Sequence, residues 1–521
     1  MLRRTFAVVL CALLVVVTAG RALALPDAVV HLDTGAVRGV AAHDHRAFLG
    51  IPYARPPVGA LRWRAPEPAE PWTGVRDATA FGGKCAQPAT SFDGLIDNED
   101  CLNLNVFTPA RRADANLPVI VWLHGGSYAF GDGNVDAGAM AAAAGAVVVT
   151  LNFRQGAFGV LALEALRAEN PALNHGVQDQ QAALRWVQRN IGVLGGDRTR
   201  VTLMGQSSGG GATCSNIASP AAAGLFHRAV LMSSSVCGTE QRYGVTLDTA
   251  RQTGEAYASK LGCPAGPGQL DCLRGKSARE LVEAAPFTED AQIPFLFPPI
   301  LDGVVIPAPP VAMIKSGAVP RRPVLAGLMD DEGYLFAALG LKVQTGVVPT
   351  EEDYRRLITA FAGPGGAVIL ALYPSLRYGS PLKAMSALMG DMMFGCGTRH
   401  GLQQLSPLAP TYAYLFEDPQ APPVVPGLAR GSTHAAELIY LFGPRSPLLD
   451  PGQQELAGRF LRHLGTFAAT GDPADWPRYD RLGQRILRFR PGTAGGTHGF
   501  GHLYVKHRCH IWDLLGSFIG T

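Results

Sequence analysis

The 521-residue sequence predicts an α/β fold, a central and mostly parallel sheet flanked by helices with long insertions. Three observations carry that reading. Short apolar, β-branched runs recur along the chain, and segments of helical spacing alternate with them. Glycine and proline, at 62 and 39 residues, are frequent enough to imply long irregular connections.

The runs 119–123, 146–151, 200–204, 229–232, 324–327 and 411–416 read as strands. Their near-continuous hydrophobicity implies burial on both faces, as in a parallel sheet covered by helices. Residues 179–190 have helical spacing through Ala183, Trp186 and Val187, and 209–218 can form a second helix. The stretch 243–323 separates two strand signals by more than an ordinary connection and reads as an insertion over the sheet's edge, lining a pocket. No Ser/Gly linker, charge block or repeat divides the chain, so residues 25–521 read as one elaborated domain.

Residues 1–24 read as a secretory signal peptide. Arg3 and Arg4 precede an uncharged apolar run, 5–20, and Ala22-Leu23-Ala24 supplies small residues for cleavage. Sixteen apolar residues fall short of the roughly 20 that span a bilayer. No other segment is apolar enough to cross one, so the mature chain is expected to be secreted or periplasmic, with no stable membrane span. Removing 1–24 takes away Arg3, Arg4 and Arg21 and no acid, which brings the formal charge from +3 to zero. Nothing then favours nucleic acid or an anionic surface as a partner.

Eight cysteines remain: Cys85, Cys101, Cys214, Cys237, Cys263, Cys272, Cys396 and Cys509. None forms a CxxC pair, which argues against zinc. An even number in an exported chain points to disulfides, whose connectivity spacing alone does not fix.

Chemistry concentrates at Gly205-Gln206-Ser207-Ser208-Gly209, a GxSxG pattern between a strand and a helix. In such an elbow the serine takes a strained backbone, and glycines at −2 and +2 prevent collision. Only Ser207 has glycine at both positions, which makes it the candidate nucleophile and leaves the Ser208 N–H as an oxyanion donor. Upstream, His124-Gly125-Gly126-Ser127 follows a strand and can offer further N–H donors. A nucleophilic serine needs a base and an orienting acid, in the chain order Ser, acid, His. His434 stands downstream of the strand 411–416, and Asp330, Asp331 and Glu332 lie just past the strand 324–327. The residues themselves do not choose among the three acids.

The chain resembles the type-B carboxylesterases, an α/β-hydrolase family that includes the cholinesterases. The resemblance runs through Phe48-Leu49-Gly50-Ile51-Pro52-Tyr53-Ala54, Glu99-Asp100-Cys101-Leu102-Asn103-Leu104-Asn105-Val106, His124-Gly125-Gly126, Asn152-Phe153-Arg154, Asp179-Gln180-Gln181, the elbow, Asp331-Glu332-Gly333 and His434–Glu437. It implies a serine carboxylesterase acting on a small-molecule ester and water, with no cofactor or metal. Ser207 would be the nucleophile, Glu332 the acid and His434 the base. Gly126, Ser127 and Ser208 would donate to the oxyanion, Gly125 would allow the turn, and Ser233 and Glu437 would buttress the triad. The resemblance also implies the disulfides Cys85–Cys101, Cys263–Cys272 and Cys396–Cys509, and leaves Cys214 and Cys237 either bridged or as buried thiols.

Two departures bear on substrate. Gln206 and Ser208 stand where the family usually has glutamate and alanine, and the fifteen-residue loop between Cys85 and Cys101 contains no tryptophan. Cation recognition needs an aromatic face, usually with negative charge nearby, so choline esters are disfavoured. Phe295, Phe297, Tyr334 and Phe336 line an apolar acyl or alcohol pocket on this reading, or pack in the core. A non-catalytic binding or adhesion protein on the same fold is the rival of another class. An amidase or lactonase with the same three residues is the nearer one.

Overall fold

The computed structural model describes residues 29–90, 93–110, 116–238, 245–285, 297–343, 346–492 and 503–519. The expected signal peptide and Phe295 lie outside them. Ten strands build the central sheet: β1 (Val40–Ala41), β2 (His45–Pro52), β3 (Asn103–Pro109), β4 (Leu117–Leu123), β5 (Val147–Leu151), β6 (Gly196–Gln206), β7 (Arg228–Met232), β8 (Val324–Met329), β9 (Thr411–Phe416) and β10 (Leu487–Phe489). Their spatial order is β10-β9-β8-β7-β6-β4-β5-β3-β2-β1. From β10 to β5 every neighbouring pair is parallel, while β5–β3, β3–β2 and β2–β1 are antiparallel.

Period-two alternation explains why the parallel strands look uniformly apolar. On β4, Val119, Val121 and Leu123 enter one core, while Ile120 and Trp122 enter the other. The first core is covered by α2 (His175–Asn190), through Ala183, Leu184, Trp186 and Val187, and by α3 (Ser208–Ala218), through Ala212 and Ile217. The second is covered by α1 (Gly138–Ala144) and the long helix Pro451–Thr470, which presents Leu456, Phe460, Leu464 and Phe467.

The insertion sits elsewhere than expected. Its helices Leu247–Lys260, Gln269–Gly275 and Ala278–Ala284 pack on residues 157–166, which leave the carboxyl end of β5, and not on an edge strand. Polar anchors fix it there. The Asn174 side chain exchanges hydrogen bonds with the backbone of Ile300 (2.8 and 2.9 Å). The Arg62 guanidinium grips Glu99 (2.7 and 2.5 Å) and also donates to the Lys276 carbonyl (2.8 Å). Phe297 packs edge-on against Tyr257 within this cluster, so it is a core residue of the insertion.

Four disulfides are present: Cys85–Cys101, Cys263–Cys272, Cys396–Cys509 and Cys214–Cys237. The last answers the question the sequence leaves open, because it joins α3 to the turn after β7.

Candidate active site

The carboxyl ends of the parallel strands bring the motifs together, as open α/β sheets do. Ser207 caps α3 straight after β6, with φ +57° and ψ −126°, and is partly exposed. Its N–H donates to the Met232 carbonyl (2.9 Å), which locks the elbow to β7. The flanking glycines are obligatory for lack of room. A Cβ on Gly205 would lie 2.2 Å from the Gly209 carbonyl oxygen, and one on Gly209 would lie 2.1 Å from that of Leu123.

The glycine loop after β4 leans on this elbow. A Cβ on Gly125 would stand 3.0 Å from the Ser207 Cβ, and Gly126 holds φ +118° with the Phe130 carbonyl filling the space where a side chain would go. Ser127 and Tyr128 continue at φ +57° and +60°. His124 braces the loop: its Nδ1 donates to the Gly125 carbonyl (2.8 Å) and its ring stacks on Phe153 at 4.4 Å. Burial lowers the His124 pKa and favours the neutral ring. Of the twelve non-glycine residues with positive φ among the described residues, five (Ser127, Tyr128, Ser207, Ser233 and Ala435) belong to the segments gathered here. Such clustering is what a functional site shows.

The three candidate acids separate by geometry. Asp330 pairs with Lys506, and Asp331 accepts from the Ser386 hydroxyl. Glu332, fully buried, accepts from the Met329 N–H (2.7 Å) through one oxygen and meets His434 Nδ1 at 2.7 Å with the other. That second bond fixes the ring's tautomer, with its proton on Nδ1 and a lone pair on Nε2. Nε2 lies 3.4 Å from Gln206 Nε2, beside the nucleophile candidate. The loops of Glu332 and His434 are themselves joined, since the Asp331 N–H donates to the Ser432 carbonyl (2.9 Å).

Glu437 lies completely buried one turn on, 3.3 Å from the Ser233 hydroxyl that donates to it. Desolvation and the neighbouring Glu332 carboxylate push its pKa up to about 8, against the pull of Ser233 and the Gln206 amide. Two aromatic rings close over His434: Phe336 at 5.0 Å and Phe394 at 4.8 Å. Tyr334 uses its hydroxyl to accept from the Ala429 N–H (3.2 Å) at the periphery. Sequence reasoning missed Phe394, which sits in no local motif. It also missed that the Gln206 amide reaches the imidazole.

Chemically, the arrangement offers a hydroxyl on a strained elbow, an imidazole held by a buried carboxylate, and a glycine loop pressed against the elbow. Known proteins resemble the chain as a whole. The carboxylesterase family profile matches residues 26–512. The chain is 36% identical to the para-nitrobenzyl esterase of Bacillus subtilis (strain 168), over 87% of this chain and 92% of that one. It is 34% identical to the fumonisin B1 esterase of Sphingopyxis macrogoltabida, covering 90% and 88%. With the acetylcholinesterase of Electrophorus electricus it shares 32%, covering 82% and 76%. A solved PNB esterase structure superposes with a TM-score of 0.75 at 34% identity, over 89% of this chain and 96% of that chain. The chain therefore belongs to the carboxylesterase family, has its α/β-hydrolase fold, and is a carboxylic ester hydrolase.

Proposed function

We propose that Ser207 is the nucleophile, His434 the general base and Glu332 the residue that orients it. The observation that carries this reading is the 2.7 Å bond from Glu332 to His434 Nδ1, which leaves Nε2 facing the elbow. Nε2 takes the Ser207 proton as Oγ attacks the ester carbonyl. The oxyanion is held by the N–H groups of Gly126, Ser127 and Ser208. The imidazolium returns the proton to the departing alkoxide, and water then releases the acid from the acyl-enzyme by the same steps. Glu332 stabilises the imidazolium without taking its proton. Gly125, Ser233 and Glu437 support the geometry.

The substrates we infer are small to medium apolar esters. Phe336 and Phe394 supply an apolar wall beside His434, and Gln206 puts a neutral amide where a carboxylate would favour a cation. Four disulfides suit an oxidising compartment, in keeping with export through the N-terminal segment into the periplasm or the medium.

The test is hydrolysis of p-nitrophenyl esters graded by acyl length, beside a choline ester. Ser207→Ala is expected to lower kcat on the order of 10⁶-fold, as in other serine hydrolases. Unchanged turnover in that variant would overturn the assignment of the nucleophile.

A further inference from the structure

The helix Pro381–Gly390 runs into a five-residue π-helical turn, Asp391–Gly395, before the helix Cys396–Leu405 begins. A π-turn is rare and concentrates at functional sites. This one is held from one side and faces the active site with the other.

The holding side is the C-terminal segment. His507, buried, places Nδ1 2.9 Å from Asp391 Oδ1 at the turn's first residue. Its ring also packs on the last residue, since a Cβ on Gly395 would fall 2.2 Å from His507 Cγ. One side chain thus spans the turn from end to end. Beyond it, Arg508 is held at φ +48° and donates to the Leu372 carbonyl (2.7 Å), and Cys509 is bonded to Cys396. The second Asp391 oxygen accepts from the Tyr373 hydroxyl (2.8 Å), which accepts in turn from Trp512 Nε1 (2.8 Å).

The facing side touches the reaction machinery. The Met393 carbonyl accepts from the Ser235 hydroxyl (2.7 Å). The Phe394 ring lies 4.8 Å from His434 and 5.5 Å from Phe336.

We propose that His507 is a positioning residue of the esterase: by bridging Asp391 and Gly395 it sets the π-turn that presses Phe394 against the His434 imidazole. This rests on reading His434 as the general base. A ring packed on the imidazole restrains its rotation and keeps Nε2 aimed at Ser207, and small misplacements of a reacting group are costly.

The experiment is a double-mutant cycle on the full mature chain with p-nitrophenyl acetate, with Tm measured for every variant. His507→Leu and Phe394→Leu are each expected to lower kcat about 10-fold or more, leaving KM within about twofold. The double variant should be no slower than Phe394→Leu alone, because both changes break one linkage. His507→Asn, which keeps a donor near the Nδ1 position, should recover part of kcat. If His507→Leu does not fold, Asp391→Asn takes its place in the cycle, with the same expectation. Multiplicative losses in the double variant, or a lowered Tm with kcat unchanged, would overturn the proposal. Failure of the underlying reading shows separately, as a His434→Ala variant that still turns over.

Discussion

Glu437 is an acid buried beside another acid, and its titration is a stability statement. Its carboxyl is raised from an ordinary 4.5 to about 8 in the folded chain, first by desolvation and then by Glu332. Below about 4.5 both folded and unfolded chains carry the proton, and the folded state bears no penalty. As pH rises from there through about 8, the unfolded chain loses its proton more readily, so stability is lost across that window. Glu437→Gln removes the titration and keeps an oxygen to accept from Ser233. Its Tm is expected to overtake that of the wild type above pH 8, with the gap closing toward pH 5. A gap independent of pH, read by calorimetry across that range, would mean that Glu437 does not carry this raised pKa. Gln206 belongs to the same scale. Its departure from the family's usual residue was legible in the sequence, but its place beside both His434 and Glu437 was not, because those contacts span more than 200 residues.

At the scale of elements, the sequence was read well where chemistry and periodicity agree. The six apolar runs correspond to β4 through β9, and the helical spacing at 179–190 lies within α2. β3 was missed for a physical reason: it is wholly buried yet carries Asn103, Asn105 and Thr108. These are tolerable because each is satisfied, Asn105 by Gly50, Gly133 and Thr150, and Thr108 by the Leu194 carbonyl. The same logic governs Arg154 and Asp179. They pair through two side-chain bonds of 2.8 and 2.7 Å, and a third from the Arg154 N–H (3.1 Å) ties the chain after β5 to α2. With the pair almost fully buried, removing one partner strands a charge. Asp179→Ala is therefore expected to cost about 3–5 kcal/mol in urea unfolding. A cost below about 1 kcal/mol, the size of an exposed pair, would show that the charge is relieved by water or by movement.

For the whole molecule, the decisive constraint is covalent. Cys396–Cys509 closes a loop across a separation of 113 residues and fastens the C-terminal helices to the turn that carries Phe394, while Cys214–Cys237 pins α3, which Ser207 caps, to the end of β7. Chain-entropy reasoning assigns a loop of that length about 5 kcal/mol, enough to decide whether a marginally stable fold persists. The pairings could not be read from spacing, because eight cysteines allow 105 connectivities and only the folded positions select one. The four disulfides make the thiol count of residues 25–521 a sharp number. Unfolded in guanidinium without reductant, that chain should show no free thiol to a colorimetric reagent, and eight after reduction. Two thiols in the unreduced sample would mean that Cys214 and Cys237 are unbridged, and that α3 is held to β7 by packing and the Ser207–Met232 hydrogen bond. Zero would place one covalent brace on the helix that Ser207 caps and another beside the turn that carries Phe394.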